Sequence, residues 1–260
     1  MNKELSTSRS QYFVFRQTME KMDLSSLGDI VAEVTGESQY DARAGVTHGY
    51  GVIASGLTEE QAKKLASRLD SMGLKVFLSN EEDLWRYPEP VSLLSASFHE
   101  RGGLGQGREE EIHFEWAGLR LMNFAWVDIS QTADPAPFPY DEPVKDHLRT
   151  PNPEELPKMP VLHKERVLDL FFRDPRMHLR LEESRFRFFY LPEEVKAESW
   201  GRNLQTLVRD ILCWAPTVMV GPGILRGKQE PVFTDLVFSS FRSLNQFNFW
   251  LNQVCHLGPV

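Results

Sequence analysis

Cysteine is scarce in this chain: Cys213 and Cys255 are the only two in 260 residues. They stand far apart in apolar surroundings, which excludes a disulfide framework and suits two buried thiols in a reducing compartment. Long apolar runs are also lacking. No stretch reaches the roughly 20 residues of a membrane span, and the opening Met1-Asn-Lys-Glu-Leu-Ser-Thr has no apolar signal core. Base is short relative to acid: 29 Lys and Arg against 37 Asp and Glu give a formal charge of -8. That balance excludes attachment to nucleic acid through the whole surface, because a phosphate backbone needs clustered cations. The local signatures of chemistry are missing as well. There is no Gly-x-Ser-x-Gly elbow, no phosphate loop with its lysine, no His-Glu-x-x-His and no Cys-x-x-Cys. Together these absences lead us to expect a cytoplasmic protein with no cofactor and, more readily than an enzyme, a binding role.

What is present is a globular composition, 41% hydrophobic and 25% charged, enough to bury a sizeable core. The clearest local signal runs from Leu57 to Leu78. Thr58 followed three residues on by Gln61 forms a capping box, and Ala62, Leu65, Ala66, Leu69 and Met72 make one apolar helical stripe. Gly73 suits the left-handed stop and Leu74 to Leu78 a short strand. Upstream, residues 1–10 read as a flexible tail and Tyr12 to Gln17 as a first strand. Leu24 to Val34 reads as a helix ended by Gly36, then a short helix capped by Ser38 and closed by Gly49, then a strand over Gly51 to Ser55. The order strand, helix, helix, strand, helix, strand predicts a small three-stranded α/β sandwich over residues 11–90.

Val34-Thr-Gly-Glu-Ser-Gln-Tyr-Asp-Ala-Arg-Ala-Gly-Val46, followed by Gly56-Leu-Thr-Glu-Glu-Gln-Ala with Leu65, Leu69, Gly73 and Val76, resembles the C-terminal domain of the bacterial ribosomal stalk protein. The adaptor of the Clp protease has a similar fold. The resemblance implies an α/β module that binds other proteins. It covers under a third of the chain and departs from the family at one point: the stalk domain's factor-binding helices are Lys-rich, whereas Asp23 to Glu37 holds four acids and no base. The fold transfers; the ribosomal role does not. Lys63, Lys64 and Arg68 remain as a small basic strip for an interaction, against the alternative of a solvated helix face.

Beyond the joint Glu81 to Pro90, residues 91–260 read as antiparallel sheet or barrel with one or two packed helices, an α+β chain as a whole. Val91 to Glu100 and Glu111 to Trp116 alternate across the glycine-rich Gly102–Gly107, which predicts a hairpin with its turn near Gly105. That pairing sets Phe98 opposite Phe114 and His99 opposite His113, so His99 and His113 are the candidate metal ligands, with exposed polar-face histidines as the alternative. Residues 131–160 contain eight prolines and read as an extended excursion, in which Asp146 and His147 are the candidates for a ligand or hydrolase site. Strands are expected at Val167–Phe172, Met177–Leu181, Arg185–Tyr190, Thr217–Val220 and Val232–Phe238. Helices are expected around Leu204 to Leu212, where Cys213 beside Trp214 reads as inert, and from Phe241 to Val254 with an aromatic face. Strand order and the Ile112–Ile129 segment bear a weak similarity to a bacterial pleckstrin-homology-like domain. The functional expectation is a non-catalytic adaptor or scaffold that binds another protein, with self-association left open. The alternative is a small-ligand binder or hydrolase.

Overall fold

A computed structural model describes residues 11–18, 23–129, 164–194, 196–227 and 230–257. The chain is α+β. It begins with strand β1 (Tyr12–Arg16), helix α1 (Leu24–Thr35) and helix α2 (Gln39–His48). Strand β2 (Val52–Leu57), helix α3 (Glu59–Asp70) and strand β3 (Val76–Asn80) follow. Local chemistry sets the boundaries. Asp23 and Ser38 cap α1 and α2, and Gly36 leaves α1 at φ 79°. The capping box of α3 forms as read, Gln61 N donating to Thr58 and Thr58 N to Gln61. Gly73 takes φ 81°, but the helical stripe stops short of it: Met72 is exposed.

These elements form a three-stranded sheet in the order β2-β1-β3, with β1 antiparallel to both neighbours. Alternation gives the sheet two apolar faces. Val14, Ile53 and Leu57 pack with Leu27, Val31, Leu65 and Leu69 of the helices. Phe13, Phe15, Val52 and Phe77 face the other way, into a core shared with the rest of the chain.

The remainder is organised on a six-stranded sheet. Strand β4 (Val91–Leu93) leads into a meander of β5 (Ser95–His99), β6 (Gly102–Gln106) and β7 (Glu111–Glu115). The long strands β8 (Leu119–Asp128), β9 (Lys164–Phe172) and β10 (Met177–Glu182) come next. Helix α4 (Trp200–Trp214), the short strands β11 (Met219–Val220), β12 (Ile224–Leu225), β13 (Val232–Phe233) and β14 (Val237–Phe238), and helix α5 (Phe241–Leu257) complete the fold. The large sheet runs β11-β8-β9-β10-β4, and β14 joins the same edge of β8 as β11. β8, β9 and β10 are antiparallel; β4 and β11 add in parallel at the edges. No helix among the described residues is long and apolar enough to cross a membrane.

One face of the large sheet, with Met122, Phe124, Leu168, Leu170 and Phe172, packs on α4 and on the meander through Phe114 and Trp116. The opposite face, with Leu121, Ala125, Val167 and Phe171, packs on α5. Helix α5 also receives Phe13, Phe15 and Phe77, so it lies between the two sheets. Its aromatic face is thereby buried: Phe247 and Trp250 are almost without exposure. Trp250 Nε1 donates to Arg16 O at 2.9 Å, tying α5 to the end of β1.

Three expected elements differ: Val232–Phe238, expected as one strand, is split between β13, paired with β12, and β14, paired with β8, and two others depart further. The glycine-rich stretch is the central strand of a three-stranded meander, not a turn. Its glycines are required by neighbours across the sheet: a Cβ on Gly103 would sit 2.6 Å from the Phe114 ring, and one on Gly105 2.8 Å from Leu93. Arg185–Tyr190 is turn-like, touching the meander through one bridge, Ser95 to Arg187. Phe186 and Phe188 still point inward, while Phe189 is 74% exposed.

Candidate functional site

The face of the large sheet turned toward α5 contains a polar row. Cross-strand register places Asn123 of β8, Asp169 of β9, Arg180 of β10 and Ser92 of β4 side by side. Each belongs to the period-2 set that points at α5, so the row is buried by the same alternation that buries Phe171 and Val167. Asp169 is 1% exposed and sits at its centre. Its carboxylate accepts from Arg180 Nε at 2.7 Å and Nη2 at 3.0 Å, and from His178 Nε2 at 2.9 Å. Burial alone would raise its pKa, but the Arg180 and His178 charges and hydrogen bonds hold the carboxyl well below the usual carboxylate range.

Helix α5 answers with three asparagines on one face, Asn245, Asn248 and Asn252, at helical spacing. Asn248 Nδ2 donates to Asp169 at 2.6 Å, and Asn248 Oδ1 accepts from Asn123 at 2.8 Å. Asn245 Oδ1 accepts from Arg180 at 2.7 Å. A buried carboxylate thus receives donors from one strand, β10, and from helix α5, the saturation a buried charge requires.

Beside this network lies a cavity of about 400 Å³, where β1, the joint before β4, β9, β10 and α5 meet. His178 and the asparagines form one polar wall and Arg86 and Glu89 of the joint add charge to the lining; Phe13, Phe171, Phe249, Trp85 and Tyr87 form its apolar side. His178 stacks on Phe171 with ring centroids 4.2 Å apart, and Tyr87 meets Phe171 edge-on at 5.0 Å. The joint is fixed by Gln253, fully buried, which accepts from Trp85 N at 3.0 Å and donates to Trp85 O at 2.6 Å. Three polar atoms of the wall make no hydrogen bond among the described residues: Asn245 Nδ2, Asn252 Oδ1 and His178 Nδ1. The cavity therefore offers an amide donor, an amide acceptor and an imidazole nitrogen against aromatic walls.

None of the described residues singled out from the sequence as site candidates lies here. His99 and His113 are not opposite one another, because β6 runs between their strands; His99 pairs with Gly102, and His113 with Leu104. His113 reaches only Glu111, at 3.6 Å with both side chains largely exposed, and no metal-holding group of three acidic, His or Cys side chains occurs among the described residues. Lys63 pairs with Glu59 at 2.6 Å on the surface of α3. Lys64 and Arg68 line a shallow depression that also contains Glu33 of α1. Asp146 and His147 lie outside the described residues. The cavity residues carried two overlooked signals: Asp169 between leucines, with His178, Arg180 and Glu182 alternating with Leu179 and Leu181, and asparagines at three- and four-residue spacing in an otherwise apolar helix.

The cysteines also differ from expectation. Cys213 is exposed, and Cys255 is half-buried with burial pushing its thiol up to about 11. A thiol reagent on the native protein at mildly alkaline pH will modify Cys213 and spare Cys255, with both reacting after unfolding. Mass spectrometry of the alkylated chain checks this, and equal native labelling would contradict the burial of Cys255.

Comparison of the chain with protein-family models, with curated proteins and with solved structures finds no match.

Proposed function

We propose that this chain is a non-catalytic protein-interaction protein, and that the cavity beside α5 receives an aromatic side chain of the partner together with its flanking peptide group. The observation that supports this most directly is the pairing of unengaged amide atoms with aromatic walls. A donor on Asn245 and an acceptor on Asn252 are the complements of a peptide C=O and N–H. Phe13, Phe171, Phe249 and Tyr87 supply the apolar surface that a ring would bury. The volume falls within the span of pockets that bind small organic groups. Asp169 and Arg180 are consumed by one another and by Asn245 and Asn248, so they act here as the rigid back of the wall.

N-acetyl-phenylalaninamide is a minimal mimic of such an occupant. In saturation-transfer NMR it binds the wild-type protein, and Asn245→Trp, which projects an indole into the space, removes the signal. Signals of equal strength in both proteins, or in neither, would overturn the reading.

The Asp169–His178 pair favours a second one. An imidazole oriented by a carboxylate is the arrangement of a general base, and Nδ1 faces the open space by elimination. A hydrolytic role requires turnover of an ester of N-acetyl-phenylalanine that His178→Gln abolishes; binding without turnover rejects it.

A further inference from the structure

At the turn joining β9 to β10, Arg173 and Arg176 flank a single carboxylate, Asp174, and positive charge gathers in excess of it. Arg176 Cζ lies 3.9 Å and Arg173 Cζ 5.9 Å from the centre of the Trp85 ring, and the His256 ring is 4.1 Å from the same indole. Arg120 joins them from β8, its Nη2 donating to Cys255 O at 2.8 Å beside His256. None of these three guanidinium groups forms an ion pair with a carboxylate among the described residues, unlike Arg43, Arg86, Arg166, Arg180, Arg185 and Arg209. Burial first, and then the positive charges of Arg120, Arg173 and Arg176, hold the pKa of the His256 imidazole below its ordinary value.

A second observation points the same way. The Tyr87 hydroxyl and Arg120 Nε are buried donors with no acceptor among the described residues. They belong to one cluster with Trp85: Trp85 and Tyr87 have ring centroids 6.1 Å apart, and the Arg120 charge acts on Tyr87. The Tyr87 hydroxyl oxygen serves as acceptor toward the Trp85 indole, so the donors left for an outside group are the Tyr87 O–H and Arg120 Nε, and buried donors left unpaired are costly. The end of α5 accounts for one cation, since its terminal carbonyls attract positive charge and Arg120 already serves one of them. Arg173 and Arg176, both exposed on the turn, exceed that need.

We propose that Arg120, Arg173, Arg176 and His256, set around Trp85 and Tyr87, form a binding site for a phosphate-type oxyanion. Guanidinium forks match such a group with paired N–H donors, and the neighbouring phenol adds a neutral one. The anion is inorganic phosphate or the phosphoryl group of a small organic molecule; the chemistry read by the site is the same. The site does not depend on occupancy of the cavity behind Trp85.

The test titrates inorganic phosphate and, separately, phenyl phosphate into the full chain at ionic strength held constant with chloride, read by calorimetry. Both anions bind. Arg176→Gln and Arg173→Gln, on an exposed turn and checked for unchanged circular dichroism, each weaken binding by about tenfold, the loss expected for one charge-assisted contact. Arg43→Gln, whose partner is Asp29 far from the site, leaves affinity unchanged. Tighter binding of phenyl phosphate assigns the site to an organic phosphoryl group, and equal binding assigns it to the free ion. Heat no greater than that of chloride, or equal losses in Arg43→Gln and Arg176→Gln, would overturn the proposal.

Discussion

Asp169→Ala is expected to destabilise the protein by about 3–5 kcal/mol in urea unfolding, the cost of removing one partner from a buried ionic group. The reason lies in what remains. Arg180 and His178 are themselves buried, and both lose the carboxylate that compensates them. Asn248 keeps Asn123 but loses its acceptor, so a residue on α5 is left unsatisfied as well. Asp169→Asn separates shape from charge. It keeps one carbonyl oxygen for Arg180 but presents an N–H₂ toward other donors, so it recovers only part of the loss. The pH dependence has a definite sign. A carboxyl whose folded pKa is depressed binds its proton more readily when unfolded, so its contribution is fully present above the unfolded pKa of about 4 and is lost as pH falls toward the lower folded value. The wild-type advantage over Asp169→Asn should therefore be flat through neutral pH and shrink in acid. A loss under about 1 kcal/mol for Asp169→Ala, in the range of an exposed ion pair, would mean the network is not holding the face together.

The second large effect is expected at Trp250. Its ring is 3% exposed, packs against Phe247 at 5.5 Å, and donates from Nε1 to Arg16 O. It also lies against a glycine of positive φ, Gly51. Gly51 holds φ 107°, and a Cβ there would stand 2.5 Å from the indole. Trp250→Ala is expected to cost about 3–5 kcal/mol, as large aromatic deletions in cores do. The loss should be unevenly distributed. Amides of β1 and β2 should gain hydrogen exchange most, because the hole opens where β1 ends and β2 begins; amides of α4, on the far face of the large sheet, should change only with global stability. Uniform acceleration throughout would show that Trp250 stabilises without clamping.

How legible this architecture was depended on where its determinants sit along the chain. The α3 segment was readable because its capping box, its stripe and Gly73 act within a few residues of one another. The same holds for β1 and β9, which are short apolar runs, and for β10, whose alternation is local. The glycines of β6 were misread because their reason is distant: Phe114 and Leu93 press on them from neighbouring strands, and no window around Gly103 contains both. Phe186 and Phe188 alternate as a strand would, yet backbone pairing there reduces to one bridge. Cys213 could have been placed correctly, since it lies opposite the Leu204, Leu207, Val208 and Ile211 stripe on the helical wheel. The candidate site was the least visible part. Asp169, Arg180 and Asn123 become neighbours only through cross-strand register, and Asn248 reaches them from 79 residues away in sequence from Asp169. The α5 asparagines were visible as letters, but the aromatic residues between them drew the attention that periodicity gives to apolar faces.

The position of α5 between two sheets also imposes an order in time. Of the elements described, it is the last to leave the ribosome, and until then Phe13, Phe15 and Phe77 on one side, and Leu121, Val167 and Phe171 on the other, have nothing to close on. A nascent chain that has made both sheets carries two apolar surfaces and, on one of them, the Asp169–Arg180 pair without the Asn245 and Asn248 contacts of α5. The arrival of that single helix closes both surfaces at once.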